Sequence, residues 1–119
     1  DRGRARVDAG DAAGALDDLR HASAQRGAPE DQRELAHALA SVSDWGGARE
    51  AYDRAIAADA QPAWLGERAL VLMQLGDDEA AGADLAQCVA LDPSCAERFG
   101  TRAGTLARDL GRDPPAGAR

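Results

Sequence analysis

The sequence predicts an all-α fold built from repeated helix–turn–helix units, and three observations carry that prediction. Side chains of matching size return at one constant interval, apolar residues within each copy recur at helical spacings, and helix start and stop signals fall at the same place in successive copies.

The period appears when the chain is laid on itself. Gly10 and Asp11 fall on Ser43 and Asp44, and again on Gly76 and Asp77. Ala15 falls on Ala48 and Ala81, Leu19 on Tyr52 and Leu85, and Ala22 on Ala55 and Cys88. Each column keeps its size class, as hairpins that stack on a continuous interior require.

Local chemistry then places the elements. The first copy shows only its second helix, within residues 10–27, because Arg2 and Arg6 stand where the next copy has Leu35 and Leu39. The second copy covers 28–60. Pro29 opens its first helix, where a missing N–H is harmless, and that helix runs to about residue 42. Asp44, like Asp11 and Asp77, stands where a short carboxylate can accept the free N–H groups of a helix start. Ala48, Tyr52, Ala55 and Ile56 then share one helical face. The third copy covers 61–93: Pro62 opens a helix with Leu65, Ala69 and Leu72 as its inner stripe, and Ala81, Leu85, Cys88 and Val89 line the next. A last helix within 94–111 continues the pattern one position late, with Phe99, Ala103 and Leu106 in the columns of Leu65, Ala69 and Leu72. Ser94 and Glu97 read as a capping box, and Arg98, Arg102 and Arg108 suit a solvated face. Gly111, Pro114 and Pro115 stop the helix, leaving 112–119 as a flexible tail.

With these residues the chain resembles the tetratricopeptide repeat family. The best match runs from Pro62 through Leu65, Ala69, Leu72, Gly76, Asp77, Ala81, Leu85 and Cys88 to Leu91, Asp92 and Pro93. The second runs from Pro29 through Leu35, Ala36, Leu39, Ala48, Tyr52 and Ala55 to Asp59. The family's small glycine of the first helix is Ala36 and Ala69 here, and its closing proline survives only at Pro93. Ankyrin repeats share the period, but their Thr-Pro-Leu-His signature is absent. The resemblance implies a right-handed solenoid over 1–111, about two and a half repeats followed by a helix that caps the open end.

Composition limits function. Of 119 residues 29 are alanine and four are aromatic, so the core must come from close helix contacts rather than large side chains. All positive side chains are arginine, and the richness in Ala, Arg, Gly and Asp points to a GC-rich bacterial genome. The net charge of −7 is uneven: residues 10–93 carry −10, while 1–9 and 94–119 carry +1 and +2. Such an acidic body lacks the basic stripe that nucleic-acid phosphates need. No apolar run approaches the length of a membrane span. The chain starts at Asp1 without a leader, so it is expected to be a piece of a larger bacterial protein in the cytoplasm.

Catalytic chemistry is not expected. His21 and His37 lie in different copies and cannot make a closed metal site alone. Asp17, Asp18, Asp77, Asp78 and Glu79 lack the alternation of a calcium loop and sit near helix starts, where negative charge is favoured. Gly46 and Gly47 follow a helix cap rather than a strand, so no phosphate loop is read there. Cys88 occupies a packing column, Cys95 is expected to be partly exposed, and the two can pair only if the turn at Asp92 and Pro93 brings them together. No cofactor, metal or catalytic residue is assigned.

The function expected is therefore binding of a protein or peptide of unidentified sequence. In the family resembled, first helices line a concave groove. Matching columns imply Glu30, Arg33, His37 and Ser41 from one repeat, then Gly66, Leu70, Met73 and Gln74 from the next, with Arg108 from the last helix. From the residues alone, the helix over 62–75 is apolar nearly all round: it is either buried on all sides or offers Leu70 and Met73 to a partner. Some members of the family resembled grip the C-terminal carboxylate of a chaperone with paired lysines and asparagines; this chain has neither residue type, which disfavours that ligand. The alternative function is self-association into a homo-oligomer, through the apolar end left by the incomplete first repeat.

Overall fold

The computed structural model describes residues 28–115, together with residues 14, 16–18, 20 and 21. The described residues are helical and contain no strand. The helices are α1 (Pro29–Ser41), α2 (Trp45–Ala58), α3 (Pro62–Gln74), α4 (Asp78–Leu91) and α5 (Thr101–Asp109), the last preceded by a π turn over Ala96–Gly100. The chain divides into two compact units, Asp1–Asp59 and Ala60–Arg119.

In the first unit α1 packs along α2. Pro29 stands at the start of α1 as expected, and the Asp44 carboxylate accepts from the Gly47 amide at 3.0 Å to open α2. Between them the chain reverses in a Schellman turn: the Ser43 amide donates to the Ala40 carbonyl at 3.0 Å and the Asp44 amide to the Leu39 carbonyl at 2.9 Å. Such a turn needs a left-handed residue, here Ser43 with φ 62°. Leu35, Leu39 and Tyr52 are buried among Ala36, Ala48, Ala51 and Ala55, whose side chains admit close approach of the two helices. Residues 14, 16–18, 20 and 21 are helical, with Leu16 buried. Ala15, Leu19, Ala22 and Asp11, which carry the reading of the first copy, lie outside the described residues.

The second unit repeats this construction one period later. Pro62 opens α3, and Asp77 opens α4 by accepting from the Ala80 amide at 3.2 Å. The Gly76 amide donates to the Met73 carbonyl at 3.0 Å and the Asp77 amide to the Leu72 carbonyl at 2.9 Å, the same bonds as in the first unit. Gly76, at φ 84°, takes the left-handed place of Ser43. Ala81, Leu85 and Cys88 are fully buried, as are Ala48 and Ala55, while Tyr52 is nearly so. Leu65, Ala69 and Leu72 form the inner stripe of α3, as expected.

Three features of the last helix differ from the sequence reading. Ser94 and Glu97 form no capping box. Instead the Ser94 hydroxyl and amide both donate to the Asp92 carboxylate, at 2.8 and 3.1 Å. The hydroxyl bond first, then the amide bond, hold that carboxyl below its ordinary value of 3.8. Secondly, the π turn inserts one residue. Pro62 at the start of α3 maps to Ala96, one position beyond the period, whereas Gly76 after its end maps to Gly111, two positions beyond it. The buried stripe is accordingly Phe99, Ala103 and Ala107, with Leu106 turned half outward. Thirdly, residues 112–115, counted with the tail, are placed. The Arg112 guanidinium donates to the Met73 carbonyl and pairs with Asp78 at 3.3 Å, and Pro115 is buried. Residues 116–119 lie outside the described residues.

Candidate partner-binding face

The expected groove residues fall on three helices, α1, α3 and α5, and the two units treat them differently. On α1, Glu30, Arg33, His37 and Ser41 follow one another at intervals of three, four and four, which puts them within about 80° of arc on one side of the helix. Glu30, His37 and Ser41 are exposed and Arg33 is half-buried. The Ser41 hydroxyl bonds back to the His37 carbonyl at 2.9 Å, so its oxygen is turned along the helix. This stretch is a polar face carrying both signs of charge.

On α3 the expectation fails at two positions. Gly66 is buried against Phe99: a Cβ at Gly66 would lie 2.4 Å from two ring carbons, so the ring occupies the place of a side chain. Met73 is 1% exposed and presents no surface to a partner. Of the two readings open for this apolar helix, burial is the observed one for Val71 and Met73, since α5 and the segment after it close over the unit. Leu70 and Gln74 remain half-exposed, and Arg108 is exposed on α5.

Two charged arrangements escape the sequence reading. Arg68 and Asp84 make a two-pronged ion pair across the α3–α4 seam, Nε to Oδ2 at 2.7 Å and Nη2 to Oδ1 at 2.8 Å, with Asp84 only 6% exposed. The two parallel bonds satisfy the carboxylate, as a buried charge requires. A signal for the pair exists: one period earlier these columns hold Leu35 and Ala51, so a charge of each sign enters an apolar seam together. In addition, the guanidinium groups of Arg98 and Arg102 lie 5.2 and 5.4 Å from the centre of the Phe99 ring. Both arginines are exposed as expected, yet their charges also cover the ring that closes on Gly66.

The first unit also contains a cleft of about 340 Å³. Leu35 and Leu39 form its apolar floor, and Arg20, Glu50 and Arg54 stand around it. At about 100° per residue, Leu35 and Leu39 point to the side of α1 opposite Glu30, Arg33 and His37, so the cleft and the polar face are separate surfaces.

Among the described residues no group of three or more His, Cys, Asp or Glu side chains is arranged to hold a metal ion, and no helix is long and apolar enough to cross a membrane. The sequence matches no protein-family model and no curated protein.

Proposed function

We propose that this chain is a non-catalytic protein-interaction module: tandem helical hairpins of the tetratricopeptide kind, stacked as a right-handed solenoid within a larger bacterial protein. Its first helices take up a peptide or protein segment. The observation that carries this reading is the recurrence of one hairpin design, with the same Schellman turn before Asp44 and Asp77 and the same aspartate cap after it. A unit that repeats with its own turn and cap extends by stacking, and stacked first helices form a shared binding surface. With Gly66 and Met73 buried, the accessible positions are Glu30, Arg33, His37 and Ser41 of α1 in the first unit and, taken by itself, Leu70 and Gln74 of α3 with Arg108 of α5 in the second. The α1 face, with both charge signs, suits a polar segment.

The test is selection of a random phage-displayed peptide library on the full 119-residue chain. Enriched peptides are then measured against wild type, His37→Glu and Arg33→Glu, each first checked for helix content by circular dichroism. Loss of about tenfold in affinity, near 1.4 kcal/mol, in both folded variants is the expected result. Enrichment of peptides that bind the variants unchanged would contradict the face, and failure to enrich any peptide would contradict the module.

A second reading, self-association, has its own observation. Among the described residues the exposed large apolar side chains are Val42, Leu75, Leu91 and Leu110, and all but Leu91 stand just before a left-handed turn residue. Analytical ultracentrifugation over a hundredfold range of concentration separates the two: a constant monomer mass removes self-association.

A further inference from the structure

Both cysteines of the chain are joined to each other. Cys88 lies in the last turn of α4 and Cys95 directly before the π turn, their Cα atoms 5.8 Å apart and both side chains fully buried. This corrects the expectation that Cys95 is partly exposed. The turn at Asp92 and Pro93 does bring the two together, and it is fixed by bonds of its own. Asp92 accepts from Ser94, and the Cys95 amide donates to the Asp92 carbonyl at 2.9 Å. One turn beyond Cys95 stands Phe99, the ring seated on Gly66. The bond therefore anchors the start of the last helix at the point where it docks on α3. Cys88 Sγ also lies 2.9 Å from the Pro62 carbonyl oxygen. A disulfide sulfur has no hydrogen to donate, so that approach is a hydrogen bond only in the dithiol form.

We propose that Cys88–Cys95 is a structural disulfide, made in an oxidising compartment, that holds the last helix on the α3–α4 hairpin in the working form of the protein. The oxidant is a disulfide of the thiol–disulfide oxidoreductase class or a small-molecule equivalent. One cysteine thiolate attacks it, forming a mixed disulfide and releasing one thiol; the other thiolate then displaces the second thiol. Two cysteine thiols are oxidised, and one external disulfide is reduced to two thiols. Such bonds persist where the surroundings are oxidising and are rare in a reducing cytosol. The proposal thus sets the protein outside the cytoplasm, in place of the location expected from the sequence. Burial argues for a structural bond over an exchanging one, because an external thiolate must reach a sulfur that nothing exposes. The separation of seven residues also differs from the Cys-X-X-Cys spacing of redox-active pairs. Neither cysteine lies on the proposed binding face, so this inference stands apart from that reading.

The test uses the full chain exported to a bacterial periplasm and purified without reductant. Iodoacetamide is applied with and without urea, followed by peptide mass spectrometry. The expected result is no alkylation of either cysteine in either condition and a linked peptide containing both. With dithiothreitol, reduction of the folded protein is expected to be at least about tenfold slower than in urea, since the bond must first be exposed by opening. A Cys88→Ser, Cys95→Ser double variant, which keeps a donor for the Pro62 carbonyl, is expected to remain helical with a Tm lower by about 10 °C. Alkylation of both cysteines in the periplasmic protein, equal reduction rates folded and unfolded, or a variant Tm equal to wild type would each overturn the proposal.

Discussion

The two hairpins, α1–α2 and α3–α4, share a backbone plan and differ in what fills it. Both turn through the same pair of Schellman bonds, both open the second helix with an aspartate, and both bury a small residue, a large one and a small one at matching columns. Yet Leu35 and Ala51 of the first hairpin become Arg68 and Asp84 in the second, and Arg33 becomes Gly66. The turn and the small columns thus fix helix spacing and direction, while the remaining seam positions can exchange an apolar pair for an ion pair if both partners change together. What an element packs against decides the rest: Gly66 is small because Phe99 sits on it, and Arg33 keeps a side chain.

The largest expected effect breaks the comparison at the ion pair. Arg68→Ala leaves the buried Asp84 carboxylate uncompensated, and about 3 kcal/mol should be lost in urea unfolding. The double change Arg68→Leu, Asp84→Ala installs the pair of the first hairpin and should recover stability to within about 1 kcal/mol of wild type. A double variant as weak as Arg68→Ala would mean that the two seams are not equivalent.

Next comes the seat of the last helix. Gly66→Ala puts a methyl group into the Phe99 ring and should destabilise by about 2 kcal/mol, whereas Arg33→Ala at the matching column should cost less, about 1 kcal/mol at most. Thermal unfolding of both variants reads the contrast.

The caps sharpen the likeness. Asp44→Ala and Asp77→Ala should each cost about 1 kcal/mol, and nearly the same amount, because each removes one acceptor from an equivalent helix start. At the turn the two hairpins should respond with opposite signs. Ser43 holds a left-handed conformation that glycine adopts freely, so Ser43→Gly should stabilise by up to about 0.5 kcal/mol, and Gly76→Ala should destabilise by roughly 1 kcal/mol. Urea midpoints measured side by side decide both.

Much of this plan is legible in the sequence because it is local. Pro29, Pro62, Asp44 and Asp77 act on helix starts within one turn, and a one-period shift of Ala48, Tyr52 and Ala55 reads the seam directly. What escapes depends on contacts between elements. Met73 reads equally as buried or as open to a partner, because a single helix cannot reveal how closely α5 and Arg112 cover it. The Arg68–Asp84 pair is separated by a turn, although the paired departure from Leu35 and Ala51 is visible. The π turn has a written trace as well: Ala96 stands one position beyond the period and Gly111 two, which leaves one residue to be absorbed between them. The capping box fails because Asp92, two residues upstream, offers the Ser94 hydroxyl a charged acceptor.

Solution NMR on the full chain addresses the recurring hairpin most directly. One set of amide contacts is expected to appear twice, Asp44 near Leu39 and again Asp77 near Leu72, with left-handed geometry at both Ser43 and Gly76. Spectra in which either turn lacks that pattern, or in which Ala48 and Ala81 show unlike neighbours, would contradict it.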